Sequence, residues 1–200
     1  RRVAKWLICG LHPTRTFRHA NIIRFQNRPF SNVLEMDEMM VTLWNQCVMP
    51  SDHIYHLGDV TMLRGSGAHM VEALLNRLNG HKRLVLGNHD AQPAEWYLKF
   101  FEKVKAVNVL DNIIFTHIPI HPQSLGRFKA NVHGHFHSNP SPPAVQTIDP
   151  TTQQVRVIPY VNVCVEKTEY APIHFEEVKQ RIRLLAEGKC APKDIENAVR

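Results

Sequence analysis

Residues 52–59 (Asp-His-Ile-Tyr-His-Leu-Gly-Asp) contain the pattern that decides the fold, a short apolar strand that ends in a glycine and a polar residue. The pattern returns at residues 83–90 (Arg-Leu-Val-Leu-Gly-Asn-His-Asp). Between them, apolar residues at helical spacing predict a helix that Gly80 ends; they are Met70, Val71, Leu74, Leu75 and Leu78. Because strands and helices alternate, we expect an α/β sandwich whose polar motifs gather at the carboxyl ends of the strands.

Other helices follow from the same periodicity. Asn32 and Glu35 have the spacing of a capping box, and the apolar face that follows them predicts a helix up to Cys47. Pro93 suits the first turn of another helix. The apolar face from Phe175 to Leu185 predicts a last helix, which Gly188 ends.

The remaining segments are predicted as strands and a loop. Residues 104–109 and 113–116 are predicted to be two strands that a turn separates. Residues 139–154 are rich in Pro, Ser and Thr, and they are predicted to be a loop with a hairpin leading to strands at 155–158 and 161–165.

Composition predicts one soluble domain. Two hundred residues, of which 44% are hydrophobic and 21% charged, suit a single domain over 1–200, with 189–200 as a loose tail. No apolar run reaches the roughly 18 residues of a membrane span, and no secretion signal is evident, so we expect a cytoplasmic protein. The four cysteines (Cys9, Cys47, Cys164 and Cys190) form no C-x-x-C pair, which indicates free thiols in a reducing compartment.

The net charge of +6 fits a phosphorylated small molecule, a nucleotide or a nucleic acid as partner, and it does not choose between them. Basic residues are spread along the chain, and their densest stretch, 179–183, is typical of a solvated helix face. No RNA-binding or helix-turn-helix pattern is evident. Charge alone therefore gives nucleic-acid binding little support.

Side chains of the kind that bind metals stand at the ends of the predicted strands. A metal cluster that cleaves phosphoesters needs a carboxylate that can bridge two ions, together with oxygen and imidazole ligands. Asp59 offers the carboxylate and Asn88 an amide oxygen. Imidazoles come from His117 and from residues 133–137 (His-Gly-His-Phe-His), where Gly134 turns the chain and leaves two histidines, His135 and His137, for metals. By contrast, isolated histidines such as His56 and His69 are interpreted as packed or solvated side chains.

Jointly these motifs resemble the calcineurin-like metallophosphoesterase superfamily, and closely its small bacterial and phage phosphoesterases. The resemblance runs from about residue 19 to 178 and rests on seven segments: 19–25 (His-Ala-Asn-Ile-Ile-Arg-Phe), 27–30 (Asn-Arg-Pro-Phe), 55–59, 87–90, 116–119 (Thr-His-Ile-Pro), 133–137 and 162–163 (Asn-Val). It implies a β-sandwich flanked by helices in αββα layers, with the metal site at the carboxyl ends of the strands.

By position, the resemblance also implies a set of metal ligands. Asp59 would bridge two divalent ions, His137 would help to hold one of them, and the other would be held by Asn88, His117 and His135. The implied ions are Mn²⁺ first, with Fe, Zn, Ni or Mg as other choices, because mixed oxygen and nitrogen ligands suit several metals.

The resemblance assigns catalysis to His89, which would stabilise or protonate the leaving oxygen while a metal-bridging hydroxide attacks phosphorus in line. It places His19, Asn21 and Arg28 at the entrance as substrate-binding residues. Two roles are open for Arg28. Its guanidinium could donate two hydrogen bonds to a phosphate, or it could brace the loop before Pro29.

The first motif of the family, Asp-x-His, is missing. The family has Ser-Asp-Thr-His-Phe at the end of its first strand, whereas Thr14, Arg15 and Thr16 precede Phe17 here, so two ligands of one ion are absent. One hypothesis is a shifted reading frame in residues 1–16, because codons that fit residues 13–17 also encode Asp-Thr-His-Phe in another frame. The alternative is that His12 is a displaced ligand in a chain that is genuine as written.

The sequence thus predicts a metal-dependent hydrolase that cleaves a phosphodiester or phosphomonoester, nucleotides included. An alternative is a catalytically impaired homologue that acts as a binding module. The missing first motif favours this alternative, and the retention of His89 and all the later ligands argues against it. A third hypothesis, a nucleic-acid-binding protein that acts through its charge, predicts steep salt dependence without turnover.

Overall fold

A five-stranded sheet forms the first half of the fold. The computed structural model describes residues 3–8, 20–63, 67–149 and 151–189. The strands of this first sheet are β1 (Lys5–Ile8), β2 (His53–His56), β3 (His81–Val85), β4 (Lys103–Lys105) and β11 (Ile173–His174). Their order is β11-β1-β2-β3-β4, with β1 to β4 parallel and β11 antiparallel to β1. The carboxyl ends of β1, β2 and β3 therefore lie along one edge.

A second sheet has four strands in the order β10-β7-β6-β5. They are β5 (Asn108–Leu110), β6 (Ile113–Phe115), β7 (Ala130–His133) and β10 (Tyr160–Asn162). Strands β6, β7 and β10 are parallel, and β5 forms a hairpin with β6. A separate two-stranded hairpin consists of β8 (Val145–Ile148) and β9 (Val155–Ile158).

The two sheets share a core because alternate side chains of each strand point to it. From the first sheet, Leu7, Tyr55 and Val85 enter this core, and from the second sheet, Phe115 and Val132 meet them. Helix α5 (Phe175–Ala186) closes the same core with four apolar side chains: Phe175, Val178, Ile182 and Leu185. The fold is therefore mixed α/β, as predicted, with two sheets packed through one buried layer.

Helices cover the outer face of the first sheet. They are α2 (Val33–Cys47), α3 (Ala68–Leu75) and α4 (Ala94–Tyr97), and a short helix α1 (Ala20–Phe25) precedes them. Their apolar side chains, such as Trp44 and Val71, pack on Ile54 and Leu84. The predicted capping box is confirmed, since the Asn32 side chain accepts a hydrogen bond from the Glu35 backbone N–H at 3.0 Å.

The outer face of the second sheet is covered differently from the expected αββα arrangement. In the described part of the chain, Leu125 and Phe128, from a loop with one turn of 3-10 helix, pack there with Ile158 of the β8–β9 hairpin. The two strands of this hairpin pair with each other, with Val145 opposite Ile158. Helices therefore flank one outer face of the sandwich, and a hairpin and a loop cover the other.

Two predicted segments are corrected. Residues 104–109 are not one strand, because Lys103–Lys105 pairs in the first sheet and Asn108–Leu110 in the second, so the chain crosses between sheets at 106–107. Residues 139–154 are not wholly a loop, because Val145–Ile148 forms β8, which pairs with β9 in the predicted hairpin. The apolar residues of β8 are few and partly exposed, which weakens the sequence signal of the strand.

Asp52 fixes the start of the first sheet at the end opposite to the carboxyl ends of its strands. Its carboxylate accepts hydrogen bonds from the Ala4 backbone N–H, the Met49 backbone N–H and the Trp6 indole, at 3.0 to 3.1 Å. These bonds tie β1 to the segment that enters β2. Among the described helices, none is long and apolar enough to cross a membrane.

Candidate metal centre

The loops that follow β2 and β3 touch each other through two glycines. Gly58 has φ +87, a conformation that residues with a side chain rarely adopt. A Cβ on Gly58 would lie 2.6 Å from the Gly87 backbone nitrogen and 2.7 Å from Nδ1 of His117. A Cβ on Gly87 would overlap Asp59 in turn. Both glycines are therefore required for the close approach that brings Asp59, Asn88 and His117 together.

Asp90 binds the two loops to each other. Its Oδ1 accepts from the backbone N–H of Val60 at 2.7 Å, and its Oδ2 accepts from those of Asp59 and Gly87 at 3.0 and 2.7 Å. The Tyr97 hydroxyl donates to Oδ1 at 3.2 Å. Burial raises the pKa of Asp90, although the backbone hydrogen bonds oppose that rise. Asp90 is thus a buried brace for the loop that carries Asp59.

Asp59 points both carboxylate oxygens into the site. Its side chain is buried, and its backbone is left-handed at φ 57. Oδ1 accepts from the His89 backbone N–H at 3.0 Å, and Oδ2 lies 3.2 Å from Nε2 of His117. The backbone turn at Asp59 therefore places a carboxylate between the loop after β3 and the loop after β6.

The orientation of the His117 ring follows from one backbone carbonyl. Nδ1 of His117 donates to the Leu57 carbonyl at 2.7 Å, because a carbonyl oxygen only accepts. Nε2 then faces Asn88 Oδ1 at 2.9 Å, Asp59 Oδ2 at 3.2 Å and His135 Nδ1 at 3.3 Å, and the two oxygens accept hydrogen bonds but donate none. A single hydrogen on Nε2 cannot serve all three, whereas a cation among them can. We call these four residues the Asp59 group.

Charge in the Asp59 group is consistent with the binding of a cation. Burial lowers the pKa of His117, but the hydrogen bond and negative charge of Asp59 outweigh it, so the pKa is raised. Burial and the neighbouring His117 lower the pKa of His135, which favours the neutral ring that a metal requires. Asp59, His117 and His135 also satisfy the spacing of a metal site, with ligand atoms within 4.8 Å of one another.

Residues 133–137 separate their three histidines. His133, the last residue of β7, is fully buried, with Nδ1 beside the Gly134 carbonyl at 2.7 Å and Nε2 beside the Ser141 hydroxyl at 3.1 Å. Left-handed backbone at His135 (φ 66) and at His137 (φ 49) then turns the chain twice. The ring of His133 packs against Phe136 and Tyr160.

His137 lies in a second cluster, which we call the His137 group: His137, Glu166 and Arg28. Nδ1 of His137 is 3.1 Å from Oε1 of Glu166, and Arg28 binds the same oxygen through its Nη2 at 2.6 Å and Nε at 3.0 Å. Burial raises the pKa of Glu166, but the bond to His137 and the charge of Arg28 outweigh it and lower the pKa to about 2. Glu166 is therefore ionised at neutral pH.

The other site residues predicted from the sequence differ in exposure, and some lie outside the described residues. His89 is exposed in the turn after β3, with its backbone N–H on Asp59, so its ring is accessible at the rim of the site. Arg28 is buried and bound to Glu166, a placement that favours its bracing role over contact with a phosphate. His12 and His19 lie outside the described residues, as do Thr14, Arg15 and Thr16, and no side-chain position is described for Asn21.

Sequence reasoning missed two residues of the site, Asp90 and Glu166. Asp90 was within the motif at 87–90, but it acts on backbone N–H groups, which leave no mark in the sequence. Glu166 stands in a one-turn 3-10 helix (Val165–Lys167) and is 138 residues from Arg28. Residues 162–163 are one of the segments that carry the resemblance. An acidic residue three positions after Val163 was the signal in the sequence that could have indicated Glu166.

Comparison with known proteins places the chain in a family and a fold. No family model matches the sequence. The chain is 32% identical over 185 residues to the uncharacterized protein MJ1445 of Methanocaldococcus jannaschii, with 92% of each chain covered, and it belongs to the same family. The structure of a protein of unknown function, AQ665 from Aquifex aeolicus, superimposes with a TM-score of 0.62 at 22% identity, covering 90% of this chain and 99% of that one. The latter similarity shows a shared fold.

Proposed function

We propose that the protein is a divalent-metal-dependent phosphoesterase of the calcineurin-like type. The observation that carries the proposal is the convergence of Asp59 Oδ2, Asn88 Oδ1 and His135 Nδ1 on Nε2 of His117, within 3.3 Å. The residues fit the group that they would hold, because oxygen and neutral imidazole donors suit Mn²⁺ and related ions. Divalent ions held there would neutralise phosphate charge and lower the pKa of a water ligand.

The residues of this chain supply the remaining requirements. His89 is exposed beside the cluster, and its backbone is fixed by the bond to Asp59, so its ring can meet the leaving oxygen of a bound phosphoester. Asp90 holds the two ligand-bearing loops in register. The side chains of the Asp59 group are held before substrate arrives, which is what positioning of a reacting phosphoester requires.

A second candidate is a binding module of the same fold, and the sequence at Thr14, Arg15 and Thr16 favours it. These residues offer neither a carboxylate nor an imidazole where the resembled family has both. The site of the second ion would then lack the ligands that the first motif supplies in the family, and His137 alone would not hold an ion there. Such a protein would bind one ion at the Asp59 group and hydrolyse phosphoesters poorly, because both ions contribute to the attack on phosphorus.

The two candidates are separated by repairing the first motif. The chain as written is compared with the combined variant Pro13→Ser, Thr14→Asp, Arg15→Thr and Thr16→His, using a chromogenic phosphodiester and added Mn²⁺. For a phosphoesterase we expect the repaired chain to bind two ions and to turn over the substrate, and the chain as written to bind fewer and to be slower. One bound ion and no turnover in both chains would support the binding module. No bound ion in either would remove both proposals.

His89 provides the test of the catalytic role. We expect His89→Asn to lower the rate of hydrolysis by about 100-fold to 10,000-fold, the usual contribution of general acid–base catalysis. Ion stoichiometry stays unchanged, because the side chain of His89 is not among the converging ligands. His69→Asn is the matched control, since the side chain of His69 is 77% exposed on α3. Equal rates for the two variants would contradict the role of His89.

A further inference from the structure

The carboxylate of Glu166 joins two segments of the chain at one atom. Oε1 receives the Nη2 and Nε hydrogens of Arg28, at 2.6 and 3.0 Å, and lies 3.1 Å from Nδ1 of His137. Arg28 is further fixed by its Nη1, which lies 3.3 Å from the Met36 sulfur. The side chains of Arg28 and Glu166 are 0% and 4% exposed, so this ion pair is withdrawn from solvent.

Burial of an ion pair is costly, and a stability role alone explains it poorly. Charges removed from water lose several kcal/mol of solvation each, and apolar replacements are often as stable. The pair here contacts His137, to which the resemblance to metallophosphoesterases gives a role in metal binding. A carboxylate behind a ligating histidine fixes the tautomer and the ring direction, and its loss typically weakens metal affinity 10- to 100-fold.

The contact determines which nitrogen of His137 carries hydrogen. A carboxylate paired with a guanidinium accepts hydrogen bonds and donates none. When the ring of His137 carries one hydrogen, that hydrogen therefore lies on Nδ1, and Nε2 carries the lone pair. The backbone of His137 is fixed as well, because its carbonyl accepts from the Asn162 side-chain amide at 2.9 Å. Ring and backbone are thus both held from the segment that includes β10 and Glu166.

Cys164 lies beside His137 and Glu166, and the three residues could instead be the ligands of a metal ion. A ligand atom each from His137, Cys164 and Glu166 lies within 4.8 Å of the others, a spacing that could hold an ion. An ion bound there would lie close to the guanidinium of Arg28, which is 2.6 Å from Oε1 of Glu166. Two positive charges close together repel strongly in a buried site. The Arg28 contact therefore favours Glu166 as a support for the ring over Glu166 as a ligand.

We propose that Glu166, anchored by Arg28, is a positioning residue that holds Nδ1–H of His137 and directs Nε2 toward a metal ion. The inference rests on the proposed function for the identity of the ion, but the hydrogen-bond arrangement exists without it. Arg28 is accordingly a support for the metal centre and is not a phosphate ligand.

The experiment reads the tautomer of His137 directly, by long-range ¹H–¹⁵N NMR of metal-free protein, in the wild type and in Glu166→Gln and Glu166→Leu. Glutamine keeps an acceptor oxygen, so we expect Nδ1–H in the wild type and in Glu166→Gln, and a shift toward Nε2–H in Glu166→Leu. Glu177→Leu is the matched control, because Glu177 also binds a buried arginine, Arg181, at 2.8 Å, but in α5. A hydrogen on Nε2 in the wild type would overturn the proposal. This result does not depend on whether the leucine variant folds.

Ion binding gives the second readout, with Mn²⁺ and Co²⁺ as probes in the chain with the repaired first motif. Glu166→Leu is expected to weaken the second Mn²⁺ by about 10- to 100-fold, and Glu166→Gln by less. A Co²⁺–thiolate charge-transfer band that Cys164→Ser removes would overturn the proposal and assign the cluster as a ligand set. Absence of all ion binding, with Nδ1–H retained and dependent on Glu166, would refute the proposed function and leave the positioning contact established.

Discussion

The Asp59 group and the His137 group differ in the partner that each has found. In the Asp59 group, several lone-pair atoms face one another around Nε2 of His117, and a cation is the partner that would satisfy them together. In the His137 group, the carboxylate of Glu166 is already paired with the guanidinium of Arg28. A carboxylate near a candidate metal centre therefore need not be a ligand, and its existing cation decides which role it has.

The largest effect on ion affinity is expected from Asp59→Asn, which removes the negative charge of the Asp59 group and keeps its other three side chains. Asparagine tolerates the left-handed backbone at φ 57, so the fold is retained. We expect ion affinity to fall by more than about 100-fold, beyond what the loss of a supporting residue costs. Titration with Mn²⁺ measures this. Asp111→Asn, in an exposed turn with φ 52, is the control, and similar affinities in the two variants would contradict the assignment.

Asp90→Asn tests whether the Asp59 group depends on its brace. An amide in place of the carboxylate would point an NH₂ at backbone N–H groups, and leaving them unsatisfied costs about 2 kcal/mol in the free energy of unfolding. Urea denaturation measures this cost, and we expect Mn²⁺ affinity to fall as well.

Asp52→Asn is the counterpart of Asp90→Asn at the other end of the same sheet, where the Asp52 carboxylate accepts three hydrogen bonds. It should lower stability by a similar amount and leave Mn²⁺ affinity unchanged. If Asp90→Asn also left the affinity unchanged, the brace would be irrelevant to the site.

The last prediction concerns His56, which is fully buried near Asp59 and His117. Among the described residues, neither of its ring nitrogens has a hydrogen-bond partner. Burial lowers the pKa of His56 from 6.5 to about 3. The unfolded chain therefore binds the proton more readily, and stability is lost as the pH falls from about 6.5 to about 3. The loss amounts to about 2 kcal/mol at pH 5.

His56→Leu should remove the contribution of His56 to the slope between pH 7 and pH 5, whereas the exposed replacement His69→Leu should keep it. Burial also lowers the pKa of His133 to about 4, so a smaller slope of the same sign should remain in His56→Leu. Unfolding in urea at the two pH values gives the comparison. An unchanged slope in His56→Leu would assign the acid sensitivity to another group, with His133 as the next to test.

The two groups also differ in how far sequence could predict them. Members of the Asp59 group follow strands in recognisable local motifs, and parallel strands bring such motifs to one edge. The Arg28–Glu166 contact joins residues 138 positions apart, and neither local spacing nor periodicity encodes it. The mixed α/β architecture and the Asn32 cap were predictable for the same local reason. The division of residues 104–109 between two sheets was not, because alternation in an apolar segment does not say which sheet a strand joins.

Strand β1 lies between β2 and β11, and this position has a consequence for synthesis of the protein. β11 is Ile173–His174, so a ribosome must translate all the residues from β1 to His174 before Trp6 and Leu7 gain their second neighbour. Until then β1 presents an open edge, the type of surface that pairs with other chains. The nascent protein thus reaches its protected form only after the last strand emerges, and truncation before residue 173 would leave an aggregation-prone fragment.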